Sequence, residues 1–214
     1  MVDVTRWVNM AVALESALGA DKTISGITLA DPGVVTSAGH GLADGNYVKY
    51  TITQGMSKLN GRVLRIDNKA TDIWEIEGVK TTNYTAFVAG KANLVTFGTE
   101  FQTLLDISPS GGDQQFINFR ILHEDQERQI PSYRSPQVYT MRSLWDPADA
   151  ALLQAEEDAD NAVERALKLT FSNGKIYVVN GYVGFAFQPQ GSAGELVECT
   201  MTISGQGRGK AYAS

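Results

Sequence analysis

The sequence predicts a mainly-β chain of the α+β class: antiparallel sheets in a sandwich or curved arrangement, with one flanking α-helix. Three observations carry this. Glycine turn signals punctuate alternating apolar runs along most of the chain. One segment, 146–162, combines helical spacing with a start signal. Its 214 residues are 43% hydrophobic and 20% charged, the balance of a globular chain able to bury a core.

Taken in order, residues 5–14 (TRWVNMAVAL) alternate well enough for a strand, although Ala, Met and Leu also suit a short helix. From 24 to 94, short β-like pieces (ISGITLA, GVVTSA, NYVKYTIT, GRVLRIDN, IWEIEGV, YTAFVAG) are separated by Asp31-Pro32-Gly33, Gly39-His40-Gly41, Asp44-Gly45-Asn46, Asn60-Gly61 and Asp67-Asn68. Such spacing predicts a small all-β barrel or sandwich. FINFRILHE (116–124) alternates as a strand, DQERQIPSYRSP (125–136) predicts an exposed loop, and QVYTMRSLW another strand. In the helix, Asp146 is the expected cap and Pro147 the first-turn residue. Ala148, Ala151, Leu152, Ala155, Ala159 and Ala162 form a narrow apolar stripe opposite Asp149, Glu156, Glu157 and Asp160, so the helix should lie close against a sheet. RALKLTF, KIYVVNGYVGFAF and LVECTMTISGQG then read as a closing meander, its first hairpin turned by Asn173-Gly174.

Charge and cysteine content exclude several functions. The net charge is −6 and no Lys/Arg cluster occurs, which argues against a stable grip on a nucleic-acid backbone. Cys199 is alone, so neither an intrachain disulfide nor a Cys-rich metal site is expected. The N-terminal stretch lacks the pattern of a secretory signal, and no apolar run approaches the roughly 18–20 residues of a membrane helix. The expectation is a soluble protein of a reducing compartment with no membrane association.

No catalytic constellation emerges. His40 sits between two glycines with no nucleophile motif nearby, where an imidazole caps a local carbonyl more readily than it runs a reaction. His123 lies in a predicted strand beside Glu124 and Asp125 without further ligand spacing. EEDAD (156–160) lacks the loop geometry of a calcium site and reads as a solvated or partner-facing surface. SGQGRGK (204–210) has no helix after it to complete a phosphate grip. Neither an enzyme activity nor a cofactor or metal is expected. Trp74 and Tyr84 would suit a carbohydrate-stacking platform, but core packing is the better use of both.

Nearly the whole chain resembles the major tail tube proteins of long-tailed bacteriophages. The similarity rests on an ordered series: VNMAVALESALGADKTISGIT at the start, FINFRILHEDQERQIPSYRSP, the Trp-Asp-Pro helix, the Asn-Gly hairpin, NGYVGFAFQP and the closing TMTISGQG. Residues 24–94 resemble a small β module common in phage structural proteins, marked by Val35, His40-Gly41-Leu42, Asp44-Gly45, Leu59-Asn60-Gly61 and Tyr84. The resemblance implies a discontinuous tube domain (1–23 and 95–214) with 24–94 inserted. It implies a structural virion protein that self-assembles into hexameric rings with a continuous inner β-barrel, stacked into the hollow tail tube of a non-contractile siphovirus tail that delivers DNA. Partners would be further copies of itself, a tape-measure protein, a tail terminator and distal tail or baseplate proteins, with DNA a transient passenger of an acidic lumen and assembly in the bacterial host cytoplasm. Glu127, Arg128, Tyr133 and Arg134 would form the inter-ring contact loop, against simple solvation; Asp146, Pro147 and Leu152 mark the flanking helix. Terminal GRGKAYAS would order on stacking. The module would decorate the outside of the tube or wedge between subunits. The competing readings are a stand-alone β-rich surface or carbohydrate-binding module and a secretion-system inner tube protein.

Overall fold

Alternating side chains and tight turns fold most of the chain into antiparallel strands. The computed structural model describes residues 9–123 and 125–213. Its elements in chain order are β1 (Ala11–Ile24), β2 (Gly26–Ile27), β3 (Val34–Thr36), β4 (Tyr47–Gln54), β5 (Val63–Asp67), β6 (Ile73–Ile76), β7 (Ala89–Glu100), β8 (Leu104–Gly111), β9 (Gln114–Phe119), β10 (Arg128–Arg134), β11 (Gln137–Leu144), α1 (Ala150–Asp160), β12 (Glu164–Thr170), β13 (Ile176–Phe185), β14 (Glu198–Gly205) and β15 (Lys210–Tyr212). Among the described residues one antiparallel sheet runs β2-β3-β6-β5-β4-β7-β1-β12-β13-β14-β11-β8, with β15 added on β13, while β9 and β10 pair only with each other. The mainly-β class with one α-helix is the one expected.

Three apolar clusters fill this sheet. Trp74, Tyr50, Val35, Val48, Leu59, Leu64, Ile66 and Ile76 pack within the 24–94 segment, and the Trp74 indole donates to the Tyr50 hydroxyl at 2.8 Å. Leu14, Met141, Leu152, Leu167, Val179, Met201 and Ile203 form the core under α1. Between them lie Val63, Val95, Ala166, Val178 and Tyr212, where β5, β7, β12, β13 and β15 face one another across the curled sheet.

β1 joins the first two clusters because it pairs with β7 over most of its length, from Ala13 to Ile24. Of the expected strand over 5–14, Ala11–Leu14 are strand, Asn9 and Met10 are not, and residues 5–8 lie outside the described residues; the strand continues beyond the expected end through Glu15, Ser16, Gly19 and Asp21. Partner strands override the weak β preference of those residues. Register shifts around Glu15 turn its carboxylate inward, leaving it 1% exposed.

Five further expectations are corrected. The helix begins at Ala150 with Asp149 as cap, its Oδ1 accepting Ala151 N–H at 2.8 Å; Asp146 instead closes a turn by accepting Ala148 N–H at 2.9 Å, and Pro147 precedes the helix. Asp149, expected on the polar face, and Asp158, expected within the solvated or partner-facing EEDAD run, are buried, whereas Ala148 and Ala162 lie outside the helix and are exposed. YTAFVAG contributes only Ala89 and Gly90 to β7. Residues 128–134 are a strand rather than a loop, and the preceding strand ends at Phe119, so His123 sits in the turn between them. Within the GRGKAYAS tail, Lys210–Tyr212 form β15 in the single chain, with Tyr212 buried.

Asp149→Ala is expected to cost about 1 kcal/mol of stability in urea unfolding, whereas Asp146→Ala costs less than about half of that; a larger loss for Asp146→Ala would restore it as the cap.

Candidate functional site

Among the described residues, exposed large apolar side chains cluster on an arm. β8 and β11 pair in the main sheet, from Leu104 opposite Ser143 to Gly111 opposite Gln137. Beyond them the two chains swing out through Gly111 and Gly112, both at positive φ. A Cβ on Gly111 would lie 2.1 Å from the Pro136 carbonyl oxygen, so only glycine makes this bend. Reciprocal bonds close the root: Ser135 N–H to the Asp113 carbonyl and Asp113 N–H to Ser135 Oγ, each at 3.0 Å.

Past the root, β9 and β10 form a two-stranded ribbon with Ile130 opposite Ile117, Pro131 opposite Phe116 and Arg128 opposite Phe119. Directly opposed residues share a face. Ile117, Ile130 and Phe119 therefore line one side, and Phe116 and Pro131 the other. Phe116 is 56% exposed, Ile117 53% and Tyr133 72%, with Ile121 and Leu122 also open at the turn. An isolated ribbon of this kind is marginal in water, and contiguous exposed apolar groups mark an interaction surface.

Beside the arm, β8 ends the sheet with one edge free among the described residues. Its side is flanked by a cleft of about 650 Å³ lined by Met10, Val12, Phe101, Leu104, Leu105 and Pro109. An open strand edge is a template for another strand. At the opposite end of the sheet β2 is two residues long and offers little to pair with.

The residues expected in the contact loop fall on this arm. Arg128, Tyr133 and Arg134 all lie on β10, and Glu127 is exposed just before it. Arg134 Nε donates to Gln114 Oε1 across the ribbon at 3.1 Å. Sequence reasoning passed over the apolar members Phe116, Ile117, Phe119 and Ile130. Their alternation was visible, but alternation does not say whether either face is covered. Elsewhere, His40 is buried: its Nδ1 accepts Leu42 N–H at 3.1 Å, so Nε2 donates to the Ala70 carbonyl at 2.9 Å, and its ring edge meets Trp74. Trp74 is fully buried, which removes it from any stacking platform. Leu152 is buried in the core under α1.

A buried polar seam runs where the 24–94 segment meets the rest. Lys49 Nζ lies 2.7 Å from Glu164 Oε2, and Asn180 Nδ2 donates to that same oxygen at 3.2 Å and to the Gly61 carbonyl at 2.9 Å. Burial pushes the Glu164 carboxyl up, but bonds from Lys49, Asn180 and Tyr182 outweigh it and hold the group below its usual range. Nearby, Glu15 accepts Ala166 N–H at 3.0 Å, and Arg165 binds Asp158 Oδ1 at 2.7 and 2.9 Å. Burial raises the Glu15 carboxyl above its ordinary value, against the amide bond and the charges of Lys49 and Arg165. The C-terminal strand completes the seam: the Tyr212 hydroxyl accepts Arg65 N–H at 2.8 Å, Arg65 stacks over the Tyr212 ring, and Lys210 Nζ donates to the Gly78 carbonyl at 2.6 Å.

A family model described as phage tail tube protein matches residues 54–214, starting within the 24–94 segment and running through the arm, α1 and β15. No curated protein matches the chain.

Because the folded chain holds Glu15 with a raised pKa, its ionisation opposes folding as pH rises through the window above the unfolded value of 4.5. Glu15→Gln keeps an acceptor for Ala166 N–H and is expected to melt higher than wild type at pH 7, with the gap closing as pH falls toward that value. A lower melting temperature for the variant at pH 7 would mean that the pairing with Arg165 and Lys49 outweighs burial.

Proposed function

The chain belongs to the phage tail tube protein family, and from that premise we propose that it closes into hexameric rings that stack into a hollow tail tube through which DNA passes. The observation that carries this reading is the β9–β10 arm, apolar on both faces and uncovered in the single chain. Burial of such side chains contributes roughly 25 cal/mol per Å² removed from water, so a neighbouring copy that covers the arm is held by it. The free β8 edge supports lateral closure, since pairing around a ring removes the exposed edge that each subunit carries alone. Stacking of unlike ring faces head to tail then propagates a filament until another component stops it. In this reading Glu127, Arg128, Tyr133 and Arg134 contact the adjacent ring, beside the apolar side chains that supply most of the attraction.

The remaining assignments follow the same premise. The tube belongs to a non-contractile siphovirus tail and is assembled in the host cytoplasm around a tape-measure protein, with a terminator at one end and distal tail or baseplate proteins at the other. The net charge of −6 suits a lumen that does not hold phosphates, which lets DNA move without the salt-dependent adhesion of a basic wall. Residues 24–94 act as an inserted module on the outer surface. Its separate core and the pairing of Ile24 with Gly90, which places exit and return of the chain side by side, support that division.

Electron microscopy of the purified chain at high concentration is expected to show tubes. Ile117→Asp with Ile130→Asp, which puts two charges opposite each other on one face of the arm, is expected to leave the folded subunit unchanged by circular dichroism and to abolish tubes. Tubes of undiminished yield from this variant would remove the arm from assembly.

A further inference from the structure

Lys49, Glu164 and Asn180 come together from three strands, and their placement is set by the two-residue period. Lys49 shares a strand face with Tyr47, Glu164 with Ala166 and Asn180 with Val178. Those neighbours belong to the apolar cluster between the 24–94 segment and the rest of the sheet. The Lys49 side chain is 12% exposed, that of Glu164 26%, and Asn180 is 3% exposed. An amine, a carboxamide and a carboxylate thus meet in a largely dry layer. Both nitrogens bond to one carboxylate oxygen. The Asn180 carbonyl oxygen Oδ1 is buried and has no partner among the described residues, which a site of purely structural design would avoid.

We propose that this triad is an autocatalytic cross-linking site, in which Lys49 Nζ forms an amide with Asn180 Cγ. One ammonium proton of Lys49 moves to Glu164 Oε2, leaving a neutral amine with a free lone pair. Nζ attacks Cγ, and the tetrahedral centre carries its charge on Oδ1. Glu164, in contact with both the attacking and the leaving nitrogen, relays a proton from Nζ to Nδ2. The Cγ–Nδ2 bond breaks, ammonia leaves and takes up the proton held by Glu164, and the carboxylate is restored. The net change is one Lys49–Asn180 amide and one ammonium ion, with no oxidant or cofactor required. At rest the Lys49–Glu164 pair is charged, so the reactive neutral pair is rare, but a step needed once per chain tolerates a slow rate. Fixed proximity of the reacting groups supplies the main advantage over the same groups in solution.

The product would tie β4 to β13, two strands separated in the sheet by β7, β1 and β12. It would lock the 24–94 segment onto the body regardless of how subunits assemble. Intact-mass spectrometry of the denatured wild-type chain, from free subunits and from tubes, tests it directly. The expected result is a chain lighter by one ammonia, a branched proteolytic peptide joining Lys49 to Asn180, and full mass in Lys49→Arg and Glu164→Gln. Full mass in wild type from both sources overturns the proposal. Asn180 precedes Gly181, and such pairs also lose ammonia by closing a succinimide. An ammonia loss that persists in Lys49→Arg without the branched peptide therefore overturns it too.

Discussion

The pairing of β1 with β7 is the constraint on which the rest of the molecule depends. These strands lie side by side from Ala13 to Ile24, and they carry side chains of all three apolar clusters: Val12 and Leu14 under α1, Val95 in the middle, Ile24 and Ala92 in the 24–94 segment. A ribbon of that length would otherwise be a poor strand, interrupted by Glu15, Ser16, Gly19 and Asp21. It survives because β12 pairs with Ala11–Leu14 at one end of β1 and β4 pairs with Ala89–Val95 of β7 at the other, so each end of the ribbon is held by a further strand. Its irregularities serve the packing as well. The shifts around Glu15 aim a carboxylate at Ala166 N–H, which fixes where β12 begins.

Much of this fold was legible in the sequence, and the misses have physical causes. Asn173-Gly174 between two alternating runs specified its hairpin locally, and Gly174 indeed takes positive φ. The small strands of 24–94 were equally visible, because each is bounded by its own turn residues. Failures occurred where tertiary contacts override local preference. Asp146 and Asp149 are chemically identical cap candidates, and Thr103, approaching Asp149 from the bend before β8, favours the second. Pro131 and the charges around it argued for a loop, yet the ribbon accepts a proline because its outer edge is free. β15 is too short to announce itself and owes its order to Tyr212 packing on Val63 and Val178.

The candidate site was half legible. Polar residues of the arm were identified by their neighbours in sequence, whereas its apolar residues looked like any half-buried strand. The seam was not legible at all. The β12–β13 hairpin sets Glu164 beside Asn180, but Lys49 is far from both in the chain, and only the curl of the sheet brings it onto the same oxygen. Buried ion pairs of this kind cost much of their attraction in lost hydration. Their presence at the junction gives that contact a geometric specificity that apolar packing alone would lack.

The port formed by Ile24 and Gly90 looks like a clean excision point, since two adjacent chain ends could be rejoined by a short turn. The chemistry behind it says otherwise. Cutting there would strip Val63 and Tyr47 from Tyr212, leave Glu164 without its lysine and Asn180 without the Gly61 carbonyl, and free β15 from the residues that pin it. The segment is topologically removable but energetically grafted. A smaller substitute at this port would have to bring its own lysine and its own apolar lid to keep the junction closed, whatever the form of its exposed face.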